Sequence, residues 1–218
     1  MAPAPSALPS LAKTSLRQQA VHALRVAITS GELAPSSPLV ETELSEMLQI
    51  SRGTLREALR QLQQEDLIST GARGRLCVRH LDANQIRDIF AVRAALESLA
   101  VRLLAEMTNR TAVLESLHHA LDVMNVADVG LEARIEADLN FHRTMCRLTG
   151  NDTLLHSWIS LEGSIRMSIM FAGLDRAVGN MGVTRHKAIV DAIETGDAVL
   201  AAQAVRRHMD SAVATLLT

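Results

Sequence analysis

Four polar residues in the C-terminal half lie on otherwise apolar helical stripes, and this constrains what the chain can fold into. Asp138 and His142 are four residues apart, so they share one face of a helix. His186 and His208 lie on two further stripes of helical spacing. Because an unpaired polar or charged group in an apolar core costs several kcal/mol, the four must satisfy one another. The pattern predicts a helical bundle in which they surround one metal ion.

The amino-acid composition also favours packed helices. Apolar residues make up 48% of the 218 residues, aromatic residues make up only 2%, and tyrosine is absent. Aliphatic side chains must therefore fill the interior, which is typical of helix packing. No apolar run approaches the ~20 residues that span a bilayer, and the start of the chain does not resemble a signal peptide. We expect a cytoplasmic protein with no membrane segment and a disordered arm at 1–13.

The sequence pattern of residues 14–79 predicts a helix, then a helix-turn-helix, then a short β-hairpin. The predicted elements are three helices, at 16–30, 41–48 and 51–65, and two strands, at 67–70 and 76–79. Ser51 is placed to cap the third helix. This order of elements is typical of a winged helix-turn-helix domain.

Positive charge is concentrated in this half, although the whole chain has a net charge of −2. Residues 51–79 contain six Arg against three acidic residues. An Arg at the start of a recognition helix can bind guanine in the major groove. An Arg-rich helix face is more often simply solvated, but the order of the elements favours DNA binding. The candidate contacts are Ser51, Arg52, Thr54 and Arg56 on the helix and Arg73 on the hairpin.

Residues 14–80 resemble the winged-helix domain of the GntR family. The matching residues are Gly31-Glu-Leu33, Leu39, Glu41, Leu44, Leu48, Ser51-Arg52, Leu55-Arg-Glu-Ala-Leu59, Leu62 and Glu65-Asp-Leu67. The resemblance implies that Ser51, Arg52, Thr54 and Arg56 contact operator DNA and that Gly74, at the wing tip, enters the minor groove. Ser36-Ser37 stands where the family has a turn glycine.

Beyond a hinge at 80–84, the remaining residues, 85–218, predict a domain made only of helices. The six predicted helices are 83–107, 111–127, 131–149, 152–173, 180–195 and 198–216. The domain resembles the FCD effector domain of the FadR subfamily, in its six-helix VanR-like branch. The matching stretches are Asp138-x-x-x-His142, Leu148-Thr-Gly-Asn151, His186-Lys-Ala-Ile189 and Arg207-His-Met209. The resemblance implies a divalent metal held by Asp138, His142, His186 and His208.

Imidazole and carboxylate ligands suit several metals, so we expect zinc first, with nickel, iron and manganese as alternatives. Four protein ligands leave positions open on a six-coordinate ion, and its residual positive charge favours a small carboxylate. Arg93 lies on an apolar stripe and could clamp that carboxylate in bidentate fashion, with Arg166 as a second candidate. The alternative for each Arg is an internal ion pair, with Glu97 or Glu162 respectively.

The function that we expect is a homodimeric, metabolite-responsive transcriptional regulator that acts as a repressor. Two winged helices would bind a palindromic operator, and a small organic acid would favour one arrangement of them. One rival is a metal-dependent hydrolase fused to a DNA-binding module, with Glu136 or Glu162 as general base. Another is a metal that is purely structural, without any effector.

Overall fold

The computed structural model describes residues 15–71, 74–125, 130–172 and 179–218. The helices are α1 Leu16–Thr29, α2 Glu41–Met47, α3 Arg52–Gln64, α4 Ala83–Ala105, α5 Thr111–Met124, α6 Leu131–Leu148, α7 Asp152–Ala172, α8 Val183–Glu194 and α9 Ala198–Leu217. The strands β1 Ile68–Thr70 and β2 Leu76–Val78 pair antiparallel. The predicted fold class, a winged helix followed by six further helices, is confirmed. The arm predicted at 1–13 lies outside the described residues.

Local capping and burial explain the winged helix. The Ser15 hydroxyl accepts a hydrogen bond from the Gln18 N–H, which begins α1, and the predicted cap Ser51 does the same for the Thr54 N–H in α3. The apolar face of α3 is fully buried against α1 and α2, through Leu55, Leu59 and Leu62. Burial of this face fixes which side of α3 is left for solvent or a ligand.

Before α2, Ser36 adopts the backbone conformation for which the family has a turn glycine. Its φ of 65° is in the left-handed region that glycine usually occupies. The Ser36 N–H donates to the Val78 carbonyl at 3.0 Å, and the Val78 N–H donates to the Ser37 carbonyl at 3.0 Å. These two hydrogen bonds tie the loop to strand β2 and hold the strained residue in place.

Helix α4 is the central element of the bundle. It begins at a capping box in which Asp82 and Gln85 bond each other's backbone. Along α4 the inward residues are almost completely buried, and they pack against α6, α7 and α9. Trp158, the only tryptophan in the sequence, is fully buried beneath α4. Within the described ranges, no helix is both long and apolar enough to cross a membrane.

The winged helix and the bundle are in direct contact where α7 passes the C-terminal end of α3. At Gly163 there is no space for a side chain, because an added Cβ would overlap the backbone carbonyl of Glu65. Beside this contact, Arg79 donates to the Ser164 hydroxyl at 2.7 Å and pairs with Asp66 at 3.0 Å. Asp66 has a φ of 59°, so α3 ends in a left-handed residue at this point.

A second contact joins α1 to α6. The Thr29 hydroxyl donates to Glu132 at 2.7 Å, and Arg166 of α7 donates to the other oxygen of Glu132 at 2.9 Å. Between the two contacts lies a cavity of about 460 Å³, lined by residues of both domains that include Arg25, Glu65 and Arg143. The N-terminal part of α6 is therefore tied to the winged helix.

Gly163→Ala is expected to push α7 away from the end of α3. The Glu65 carbonyl is backbone and cannot rotate aside, so we expect a loss of about 1–3 kcal/mol in the free energy of unfolding. Urea denaturation measures this loss. The matched control is Gly130→Ala, since Gly130 has a φ of −60° and nothing within 4 Å of its added Cβ. Equal stability of the two variants would contradict the close contact.

Candidate metal centre and DNA-binding surface

The exposed side of α3 carries the residues predicted to contact DNA. Ser51 and Arg52 are exposed at the start of the helix, Thr54 is half-buried, and Arg56 is exposed one turn further on. The Ser51 hydroxyl already bonds Thr54, through its N–H at 3.1 Å and its hydroxyl at 2.9 Å. Ser51 and Thr54 therefore bond each other at the cap. Arg52 and Arg56 are the predicted contacts on α3 whose long side chains are exposed and can donate hydrogen bonds outward.

Two further groups bear on this surface. The Arg56 guanidinium pairs with Glu41 of α2 at 2.8 Å, which orients it across the helix-turn-helix. Gly74 is exposed in the turn between β1 and β2, with a φ of 71° that suits glycine. Arg73 lies outside the described residues.

The bundle brings three histidines from three helices together. His142 on α6, His186 on α8 and His208 on α9 are all buried, and one ring nitrogen of each lies within 4.8 Å of the other two. The Nε2 atoms of His142 and His186 are 3.1 Å apart. Asp138, one turn before His142, places Oδ1 3.0 Å from His186 Nε2. Asp138 thus contacts the cluster through His186.

The hydrogen bonds of the rings determine which nitrogens present lone pairs. His142 Nδ1 lies 2.7 Å from Glu97, and His186 Nδ1 lies 3.0 Å from the Gly182 carbonyl, so each Nδ1 carries the proton. In neutral rings of this tautomer, both Nε2 atoms present lone pairs, towards each other and towards the Asp138 carboxylate. His208 Nδ1 is buried without a hydrogen-bond partner in the part of the chain that the structure describes. These converging acceptors repel one another unless a cation lies among them, so the residues fit a divalent metal.

Glu97 also belongs to this site. The sequence predicted it only as a possible ion-pair partner of Arg93, and not as a contact of the histidines. It is fully buried and accepts from Arg93 at 2.8 Å, from Trp158 at 2.8 Å and from His142 at 2.7 Å. A carboxylate bonded to the second nitrogen of a metal-binding histidine fixes the ring and raises its basicity. The signal in the sequence was a glutamate on the apolar stripe of α4, four residues after Arg93.

Burial and charge set the protonation states of the centre. Burial by itself raises the pKa of Glu97, but Arg93 and His142 together outweigh it through charge and hydrogen bonds, and the pKa lies well below its usual range. Burial lowers the pKa of His142 despite the nearby Glu97 carboxylate. Burial, with repulsion from His142 and His186, lowers the pKa of His208 further. An anionic carboxylate beside neutral imidazoles is the state that binds a metal.

Arg93 and Arg166, both predicted to bind the effector, lie in different places. Arg93 is almost completely buried, pairs with Glu97, and reaches to 4.0 Å from Asp138. Together with Asp138 it lines a small cavity of about 20 Å³ beside the histidines. Arg166 pairs with Glu132 and Glu136 at the contact with the winged helix. The structure thus brings Arg93, and not Arg166, close to Asp138 of the candidate metal site.

Two family descriptions match this chain. "Bacterial regulatory proteins, gntR family" matches residues 16–78, and "FCD domain" matches residues 88–211. The probable D-xylose utilization operon transcriptional repressor of Paenarthrobacter nicotinovorans is 28% identical over 201 residues, covering 91% of this chain and 88% of that protein. The gluconate operon transcriptional repressor of Bacillus subtilis is 25% identical, covering 92% and 84% respectively.

Solved structures agree with these matches. A GntR regulator from Rhodococcus sp. RHA1 superposes with a TM-score of 0.74 at 25% identity, covering 94% of this chain and 98% of that one. E. coli McbR/YncC, at 21% identity, shares the fold with a TM-score of 0.73 over the same shares of the two chains. The matched families and relatives are transcriptional regulators and not enzymes. The chain therefore belongs to the GntR family of bacterial regulatory proteins and is a transcriptional regulator with a C-terminal FCD domain.

Proposed function

We propose that this regulator is a repressor whose FCD domain binds a divalent metal and, on that metal, a small carboxylate. The observation that carries the proposal is the 3.1 Å approach of two histidine Nε2 lone pairs beside the Asp138 carboxylate. Neutral rings with protonated Nδ1 atoms leave these acceptors facing one another, and one metal ion would satisfy all of them. Asp138, His142, His186 and His208 would hold the metal, with zinc as first expectation and nickel, iron or manganese as alternatives.

Arg93 would hold the other end of the effector. Its Nη2 is buried and has no hydrogen-bond partner within the described part of the chain, while its Nε is occupied by Glu97. A buried guanidinium N–H left open beside a metal site is suited to a carboxylate oxygen. The bound metal would supply a positively charged coordination point for the same anion. As an effector contact Arg166 stays a prediction, and the described ion pairs connect it to the other domain.

The regulator would act in the cytoplasm as a homodimer on a palindromic operator. Helix α4 leaves Val92 and Leu99, two turns apart on one face, 50% and 42% exposed. Apolar side chains at this spacing suit a self-complementary helix contact. Two copies would present two α3 helices to successive major grooves. Repression is inferred from the relatives named above as repressors of sugar and sugar-acid operons.

Arg56→Ala should weaken operator binding by about 1–3 kcal/mol if Arg56 contacts a base. The substitution removes a long donor from the exposed side of α3 without touching its buried face. A gel-shift titration at fixed salt measures the effect, on operator DNA selected from a random pool. Arg102→Ala is the control, because it removes the same charge from an exposed position on α4. Equal affinities of the two variants would exclude Arg56 from the interface.

A thermal-shift screen of small organic acids tests the proposal as a whole. Metal-loaded and chelated protein are screened in parallel, and each stabilising acid is then added to the operator gel shift. The proposal expects an acid that stabilises only the metal-loaded form, changes operator affinity and is recovered unchanged. If no acid stabilises either form, a purely structural metal is the remaining interpretation, and the proposal is contradicted.

The hydrolase alternative has no support in the site. Glu136 and Glu162, its candidate bases, pair with Arg143 and line the cavity between the domains, not the one beside the histidines. Turnover of an acid in the screen would nevertheless reveal it.

A further inference from the structure

A carboxylate lies inside the surface that the winged helix would present to DNA. Glu41 is in the first turn of α2, and its Oε2 accepts a hydrogen bond from Arg56 Nε of α3 at 2.8 Å. Glu41 also lines an open groove of about 510 Å³ that is bounded on the wing side by Gly74 and Arg75. Because DNA carries a phosphate charge on every nucleotide, a negative side chain in this position weakens binding to any sequence. The contribution of Glu41 is therefore not affinity.

Folding stability does not account for this ion pair either. The Arg56 side chain is 60% exposed and that of Glu41 is 33% exposed. Ion pairs at such exposure contribute little to folding, because water solvates both groups and salt screens them. Loss of the Glu41 carboxylate should therefore leave the winged helix folded, so that its effect on DNA binding can be measured directly.

The atom that Glu41 engages determines how Arg56 can bind a base. A guanidinium is planar, with its N–H groups on Nε, Nη1 and Nη2 in a fixed geometry. Because Nε is bonded to Glu41, the edge formed by Nη1 and Nη2 is the one left for DNA. That edge can donate two hydrogen bonds in one plane, to O6 and N7 of a guanine. The ion pair also holds the guanidinium in one orientation, so less side-chain freedom is lost when a base binds.

We propose that Glu41 is a positioning residue that sets the base preference of Arg56 and lowers the affinity for DNA of every sequence. This inference rests on the proposed function, in which Arg56 contacts a base of the operator. The carboxylate restricts Arg56 to the base pair that its Nη1–Nη2 edge can reach. Without the carboxylate, Arg56 is free to turn towards neighbouring bases or phosphates. Glu41 thus separates operator from other DNA by combining a repulsive element with the attraction that Arg56 supplies.

Single-base variants of the operator test the inference in a competition gel shift at fixed salt, with the full-length protein. The base pair that Arg56 contacts is first identified as the one whose preference is lost in Arg56→Ala. In Glu41→Ala we expect the preference for this base pair to fall about tenfold, while the preferences at other positions stay as in wild type. Affinity for DNA of random sequence should rise about two- to threefold, because one charge that opposes the phosphates is gone. Glu41→Asp keeps the charge but withdraws it by one methylene, so it should lose the preference without that rise in affinity.

The matched control is Glu43→Ala. Glu43 is exposed in the same first turn of α2, so its loss removes the same charge and a similar interaction with the helix dipole. It should raise affinity for random DNA without changing any base preference. The double variant of Glu41→Ala with Arg56→Ala should show the base preferences of Arg56→Ala alone, since Glu41 acts through Arg56. Melting temperatures confirm that each variant is folded.

The outcomes separate this inference from the proposed function. A Glu41→Ala protein that keeps the wild-type preference at the base pair of Arg56 would overturn the role of Glu41 and leave the proposed function standing. A loss of preference spread equally over all base pairs would overturn it as well, because it would indicate a distorted helix-turn-helix. An Arg56→Ala protein with unaltered preference at every base pair would instead exclude Arg56 from base contact, and the inference would fall with it.

Discussion

Removal of the proposed metal is expected to lower the melting temperature of the protein by about 8–16 °C. A ligand present at a thousand times its Kd stabilises a protein by ~4 kcal/mol, and each kcal/mol moves the midpoint of a domain of this size by about 2–4 °C. The three buried histidines would lose the cation that they are proposed to share, and the repulsion between their lone pairs would add to the loss. Differential scanning fluorimetry before and after chelation, with elemental analysis of the same samples, measures the effect.

Single substitutions locate this effect. His186→Ala should abolish both the bound metal and the response to a chelator, because His186 contacts His142 and Asp138 at once. His118→Ala is the control, since His118 is exposed on α5 and outside the cluster. Metal bound in equal amounts by His186→Ala and wild type would contradict the proposed centre.

Glu97→Ala is expected to destabilise the protein by about 3–5 kcal/mol. The substitution leaves the Arg93 guanidinium buried without its charge partner, and it removes the acceptor for Trp158 and His142. Arg93 is 3% exposed and Glu97 is 0% exposed, so water cannot replace the lost partner. Urea denaturation of the metal-free protein separates this loss from any change in metal binding.

Two further variants make this prediction specific. Asp191→Ala breaks the Lys187–Asp191 pair, which has the same i,i+4 spacing but is about half exposed, and it should cost at most about 1 kcal/mol. Glu97→Gln keeps the shape of the side chain and loses its charge, so it should weaken metal binding by about 10–100-fold. A Glu97→Ala protein as stable as Asp191→Ala would refute the buried network.

The helices could be predicted from sequence because their ends carry local signals. Ser51 caps α3 as expected, Asp82 caps α4, and Gly150 and Gly196 follow the ends of α6 and α8 with positive φ. The helical spacing of the apolar residues then identified which face of each helix is buried. It also placed the three histidines, because a polar residue on such a face can only point into the bundle.

Contacts between distant elements could not be predicted in the same way. Glu97 and Trp158 are 61 positions apart, and nothing local indicates that the indole N–H meets that carboxylate. The ion pairs of Arg166 were predicted only in part, since Glu162 is one turn away while Glu132 and Glu136 come from another helix.

Helix α6 connects the winged helix to the proposed metal site. Glu132 in its first turn meets Thr29 of the winged helix, while Asp138 and His142 lie further along the same rod. If an acid changes operator affinity by some factor, the operator must change acid affinity by that same factor. Promoter-bound copies would then respond to a different metabolite concentration from copies free in the cell. The gene under control would help to set the threshold of its own sensor.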